Sequence, residues 1–217
     1  MSVEGKVSTR EAKRLQTRER LLDAAVAEFK RDGMAAADIG AIVSSAGVAH
    51  GTFFFHFATK EHVLLELERR EELRIAASLA DFFDTPHTVE DTLTQMVREL
   101  EDLEQRLGNK LFKDFLALHF STTRPPQEER DHHPAIIAVI SELERARDRG
   151  ELPPQTDAFH HGVFFLLGLF ALLVTTPEAP EIRRPIVEKY VAIALQGMTS
   201  TAVGINEGRD PNSDESR

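Results

Sequence analysis

Apolar residues recur at helical spacing along almost the whole chain. No stretch shows the period-two alternation of a half-buried strand, and no internal repeat of roughly 20–50 residues is visible. The first periodic stretch, about residues 9–32, carries Leu15, Leu22, Ala25, Val26 and Phe29 on one face. Ser8-Thr9-Arg10-Glu11 has the form of a capping box at its start, and Asp32-Gly33 closes it. Asp38 can cap a short helix through Ser45, Gly47 breaks that helix, and a second short one runs from about Ala49 to Phe55. Thr59 stands where it would cap a long helix of about 60–83, in which Val63, Leu64, Leu67, Leu73 and Leu79 lie among charged residues; the turn Asp84-Thr85-Pro86 follows. Thr88-Val89-Glu90-Asp91 opens a helix to about Leu107, and Gly108 separates it from a phenylalanine-rich helix of about Lys110 to Ser121. The polar, proline-containing stretch from Arg124 to His133 reads as a linker. Pro134 suits the first position of a helix that ends at Arg149-Gly150. A further helix of about 156–175 follows Pro153-Pro154-Gln155, and the last runs from about Glu181 or Pro185 to Val203, leaving Gly204 to Arg217 as a disordered tail. The predicted fold class is all-α, with about nine helices.

Composition narrows this picture. The 217 residues, 41% of them hydrophobic and 29% charged, are enough to bury a sizeable core. The absence of cysteine excludes disulfides, thiolate metal sites and cysteine nucleophiles. The start of the chain is polar and then basic, with no apolar signal segment. The longest apolar stretch, Val163 to Val174, has 12 residues, where a bilayer needs roughly 20, so it reads as a buried helix. A cytoplasmic protein without a membrane partner is expected. Net charge is −10, but it is unevenly placed: residues 1–62 hold nine Lys/Arg against eight Asp/Glu, and the remainder 17 against 28. Lys6 to Arg20 contains six basic and two acidic residues, a local excess suited to phosphate contact at one end of an acidic body.

The most informative segment is 38–57, DIGAIVSSAGVAHGTFFFHF. Two short helices about a glycine turn are the arrangement by which a helix-turn-helix lays its second helix in the DNA major groove. Ile39, Ile42 and Val43 would face inward, Gly47 permits the turn, Val48 fills the space between the helices, and the small residues Ala46, Ala49 and Gly51 keep the leading edge thin. A packing motif with no DNA role is the plainer alternative, in which Phe53, Phe55 and Phe57 are all core.

In this segment the chain resembles the TetR family of bacterial transcriptional regulators. The register is carried by Asp38, Ile42, Val43, Ala46-Gly47-Val48, Gly51-Thr52, Phe53, His56-Phe57, Lys60-Glu61 and Leu64, and the preceding LLDAAVAEFKRDG is similar to the family's first helix. Three positions depart from the family pattern. Ala49 replaces the usual serine cap of the recognition helix, Phe54 replaces a tyrosine whose hydroxyl often reaches phosphate, and Asp38 replaces a threonine with a charge that DNA repels. The resemblance implies a DNA-binding set of Asp38, Ala49, His50, Gly51, Thr52, Phe53, Phe54, His56 and Lys60, with His56 either in the core or facing phosphate. It divides the chain into a basic arm (1–14), a helix-turn-helix domain (15–75), a larger ligand-binding and dimerisation domain (76–203) and the tail (204–217).

The resemblance further implies a homodimer on palindromic operator DNA, released by a small-molecule effector, with no cofactor and no enzymatic activity. Phenylalanines point to a largely apolar effector held by Met96, Phe112, Phe115, His119, Phe120, Phe159 and Phe164, with His119 and Thr122 as the polar contacts; core packing explains the same residues equally well. The segment 163–170 is apolar around its whole circumference. With Ile186, Tyr190, Ile193, Ala194 and Gly197 on the last helix it matches the family's dimer-forming pair, and Gly168, Ala171, Ala194 and Gly197 would allow close approach. Two rival readings stand beside this one. One is a helical enzyme with a metal site at Glu129/His132 or Asp157/His160, together with His133 and His161. The other is a ligand-binding protein whose DNA motif is vestigial. Metal content separates the first from the regulator, and retention of specific DNA separates the second.

Overall fold

The computed structural model describes residues 9–118, 121 and 133–200. Among them the chain is all-α, with eight helices: α1 (Thr9–Asp32), α2 (Ile39–Ser45), α3 (His50–His56), α4 (Lys60–Phe83), α5 (Val89–Leu118), α6 (Pro134–Asp148), α7 (Ala158–Thr175) and α8 (Pro180–Thr199). The count differs by one from the sequence expectation because Gly108 does not open a loop. It takes a non-helical conformation (φ 71°, ψ 158°) as a single residue, so two helical segments join directly within α5. Ser8, the arm residue Lys6, the linker residues Glu129 and His132, and the tail lie outside the described residues.

Local chemistry accounts for most helix ends. Asp38 accepts hydrogen bonds from the amides of Gly40 (3.0 Å) and Ala41 (3.1 Å), capping α2. Gly47 (φ 64°) closes the same helix: its amide donates to Ser44 O and that of Val48 to Val43 O, the paired bonds of a Schellman motif. Gly150 repeats the pattern after α6, bonding Arg147 O while Glu151 bonds Ala146 O. Thr88 and Asp91 bond reciprocally at the start of α5. Thr59 departs from expectation. It precedes α4, but its hydroxyl pairs with His62 Nδ1 (3.0 Å) and makes no backbone cap. Pro180 supplies the first turn of α8, and Pro185 is carried inside that helix rather than starting it.

A single apolar cluster runs through all eight helices. α1 contributes Leu21, Leu22, Ala25 and Phe29, against which α2 packs Ile42 and Val43. Leu15 and Leu73, expected on inward faces, are exposed, because the inward stripe of each helix runs through neighbouring positions. α7 is long and apolar enough to cross a membrane by composition alone. In this fold one face of it packs on α5, α6 and α8 through Phe165, Leu166, Leu169, Phe170 and Leu173, while Phe159, Phe164 and Leu167 are exposed, so the all-round burial expected of this helix does not occur within the single chain.

Two sets of contacts tie the first three helices to the rest. Arg70 on α4 makes a bidentate pair with Glu19 on α1 (2.5 and 2.7 Å) and bonds Glu66, which also meets Arg18 and Arg69. Burial alone would push the Glu66 carboxyl up, but hydrogen bonds from Arg70 and Arg69, with the charges of Arg69 and Arg18, hold it below the usual carboxylate range. Beyond α1, Met34 N donates to Asp114 (2.6 Å), and Lys110 Nζ donates to Arg31 O (2.7 Å), so the segment of α5 after Gly108 grips the end of α1.

Candidate nucleic-acid interface

The seven residues of α3 bury one side chain, Phe53, at 0% exposure. This ring meets Phe57 (centroids 6.0 Å apart) and, edge-on, Phe54 (5.4 Å). The rest of the helix is turned outward: His50 and Gly51 are exposed, Thr52 is half-buried, and Phe54 and Phe55 are 48% and 75% exposed. Phe55 therefore belongs to the surface and not to the core, where the packing-only alternative places it. The exposed face carries neither Lys or Arg nor a carboxylate, and offers a base edge two aromatic rings, an imidazole and a hydroxyl. Ala49 precedes α3 without a side-chain cap, as its identity requires.

Charged residues of the predicted set prove to have local partners. Asp38 faces the amides of α2. Lys60 Nζ donates to the carbonyls of Ala35 (2.8 Å) and Ala37 (3.2 Å), bracing the connection between α1 and α2. Arg18, within the basic stretch from Lys6 to Arg20, lies over the Phe57 ring (4.1 Å) and donates to His56 O at the end of α3. His56 itself is half-buried; desolvation, and then the charges of Arg18 and Arg14, push its imidazole down and favour the neutral form. Sequence reading gives no warning of these roles, because the acceptors are backbone carbonyls. Arg10, Lys13 and Arg14 remain exposed on one face of α1 and form no ion pair among the described residues. The charge of Arg14 on this face acts on His56, at the end of α3.

Lys60→Ala is thus expected to lower stability by about 1 kcal/mol, since it removes two charge-assisted hydrogen bonds at a largely exposed site. Urea denaturation checks this. A lysine acting only on phosphate would leave the midpoint unchanged.

The predicted ligand residues separate. Met96, Phe112 and Phe115 are buried in the core around α5. Phe159 and Phe164 stand 57% and 64% exposed, because α7 turns its 165, 166, 169 and 173 positions inward and the opposite face is solvent-facing. They therefore do not sit in the core with the other three. His119, Phe120 and Thr122 lie outside the described residues. Grooves of about 460 and 340 Å³ open between α5 and α8, lined by other residues that include Glu101 and Arg184. Burial is the main force pushing the Glu101 carboxyl up. Of the metal-spaced pairs, Asp157 caps α7 by accepting from His160 N (3.0 Å), with His160 Nδ1 2.6 Å from its other oxygen, both exposed.

Gly168 has an intramolecular function. A Cβ there would lie 2.2 Å from Tyr190 Oη, whose hydroxyl donates to Phe165 O (2.7 Å) while its ring stacks on Phe165 (5.6 Å, 15°). The absent side chain thus admits α8 onto α7 within one chain, whereas Gly197 faces open space.

Residues 21–67 match the family model of bacterial regulatory proteins, tetR family. No curated protein matches the chain. Among solved structures, Thermus thermophilus FadR, a TetR family transcriptional repressor in complex with lauroyl-CoA, aligns at 18% identity over 88% of this chain and 100% of its own, with a TM-score of 0.65. Bacillus subtilis FadR in complex with stearoyl-CoA aligns at 15% over 82% and 98% (TM-score 0.64), and the ketosteroid transcriptional regulator KstR2 of Mycobacterium tuberculosis at 22% over 92% and 100% (0.56). At such identities the likeness is one of fold, and it extends over nearly the full length of each relative. The matched segment spans α2 and α3 with most of α1 and the start of α4, so residues 21–67 form a segment of the kind found in bacterial regulatory proteins of the tetR family.

Proposed function

We propose that this regulator is a cytoplasmic homodimeric repressor that binds a palindromic operator and leaves it when a largely apolar small molecule occupies the domain formed by residues 76–203. The observation that carries the DNA part is the exposed face of α3 together with the exposed cations Arg10, Lys13 and Arg14 of α1. In a protein of net charge −10, a local excess of cations of this kind is what displaces counterions from DNA. α3 supplies base contacts through His50, Thr52, Phe54 and Phe55, and Arg10, Lys13 and Arg14 supply phosphate contacts. Phenylalanine rings suit thymine methyl groups, so operators rich in thymine at the contacted positions fit this helix.

For the effector, Met96, Phe112 and Phe115 are the lining residues retained, and acyl-CoA thioesters, found with two FadR proteins, are the first compounds to try. A ligand changes operator affinity only through its different affinity for the two states, and the coupling is reciprocal. The grip of Lys110 and Asp114 on the end of α1 is a physical connection from α5 to the reading helices.

The test is to sequence the genomic DNA retained by the protein and to titrate the recovered site. Binding should weaken steeply with salt. His50→Ala and Thr52→Ala should alter preference among sites, while Arg14→Ala should weaken all sites alike and reduce the salt slope by about one. Unchanged binding after all three substitutions would remove the assignment of this interface. Phe115→Ala should change the effector response with operator affinity nearly intact.

A further inference from the structure

Two glutamates stand one turn apart on the inward face of α4. Glu68 is 2% and Glu72 8% exposed, unusual burial for carboxylates in a helical core. Facing them, just before Pro134 opens α6, is His133, whose Nδ1 lies 2.6 Å from Glu72 Oε1. One donor atom from each of the three side chains lies within 4.8 Å of the other two. An ion bound at about 2.0–2.2 Å from each donor holds its ligands roughly 3–4.3 Å apart, so side-chain rotation alone would close this set around a cation.

We propose that Glu68, Glu72 and His133 bind a divalent first-row transition cation of the Zn2+ type, joining α4 to the start of α6. The donor chemistry selects the class. An imidazole with two carboxylates suits Zn2+, Co2+, Ni2+ or Mn2+, whereas Mg2+ and Ca2+ take oxygen donors and more of them. Two carboxylates neutralise the ion's charge, which a buried site requires. Three protein donors leave a coordination position for water or another ligand. The site is not the exposed Asp157/His160 pair, where the carboxylate is engaged as a helix cap. Nor does it depend on the repressor reading: it requires neither DNA nor an effector.

Full-length protein treated with EDTA and dialysed is titrated with ZnCl2 by calorimetry and with CoCl2 by visible absorption. The expected result is one ion per chain at micromolar or tighter affinity, with Co2+ bands of a low-symmetry N/O site. Glu72→Gln and His133→Ala should each weaken binding about tenfold or more. The double variant His160→Ala/His161→Ala, at the exposed start of α7, should leave it unchanged. Circular dichroism establishes that each variant is folded, and the folded one of the first pair decides if the other is not. Absence of binding by wild-type protein at about 1 mM Zn2+, Co2+, Ni2+ or Mn2+, or binding untouched by the Glu72 and His133 substitutions, overturns the proposal.

Discussion

Phe53→Ala should cost about 3–5 kcal/mol of stability and abolish specific operator binding, the larger of the two effects arising from the smaller helix. α3 has seven residues, too few to form alone, and Phe53 is its one buried side chain. Removing the ring leaves a cavity against Phe57 and detaches the recognition helix from the packing that orients it. Set against a typical domain stability of about 5–15 kcal/mol, the loss is large enough to populate an unfolded motif at ambient temperature. Phe55→Ala provides the contrast. That ring is solvent-facing, so its truncation should move stability by less than about 0.5 kcal/mol while reducing discrimination among operators. Calorimetric melting with fluorescence anisotropy on a labelled operator separates the two. Wild-type operator affinity in Phe53→Ala would mean that α3 is not the reading element.

The pattern that makes α1 to α4 legible is local. Helical periodicity, an aspartate before Ile39, and glycines that accept the left-handed conformation at Gly33 and Gly47 each act within one or two turns. What escapes the sequence depends on partners far along the chain. Lys60 and Arg18 look like phosphate contacts until the carbonyls of Ala35, Ala37 and His56 are placed beside them. Gly168 looks like a contact between chains until Tyr190, 22 residues later, occupies the space above it. The uniformly apolar run 163–174 of α7 carries no periodicity to say which side is inward, so Phe164 could not be told from Phe165. His133 lies 61 residues beyond Glu72, so with Glu68 and Glu72 it fits no short ligand motif.

The outward face of α7 bears on assembly, for which Phe164→Asp is the sharpest test. Phe159, Phe164 and Leu167 on α7 and Ile182, Ile186 and Ile193 on α8 are all exposed in the single chain. So much large apolar surface on two adjacent helices is the character of an interface, and in the proposed dimer these helices meet their symmetry mates. A carboxylate at Phe164 would be buried there twice, once from each chain and without a partner charge. Even at about 4 kcal/mol in total, the penalty raises the dimer dissociation constant roughly a thousandfold. The side chain is solvent-facing within one chain, so the isolated fold should remain helical. Its melting temperature should lose any dependence on concentration. Specific binding should fall with the dimer, because each recognition helix reads only a few base pairs and the second half-site lies one turn of DNA, about 34–36 Å, away. Gly168→Val should behave differently: it forces Tyr190 off α7 and unpairs helices within a chain, lowering stability before assembly is reached. Sedimentation velocity at micromolar concentration distinguishes these outcomes. A Phe164→Asp protein that remains dimeric and holds the operator as tightly as wild type would place the interface on another face.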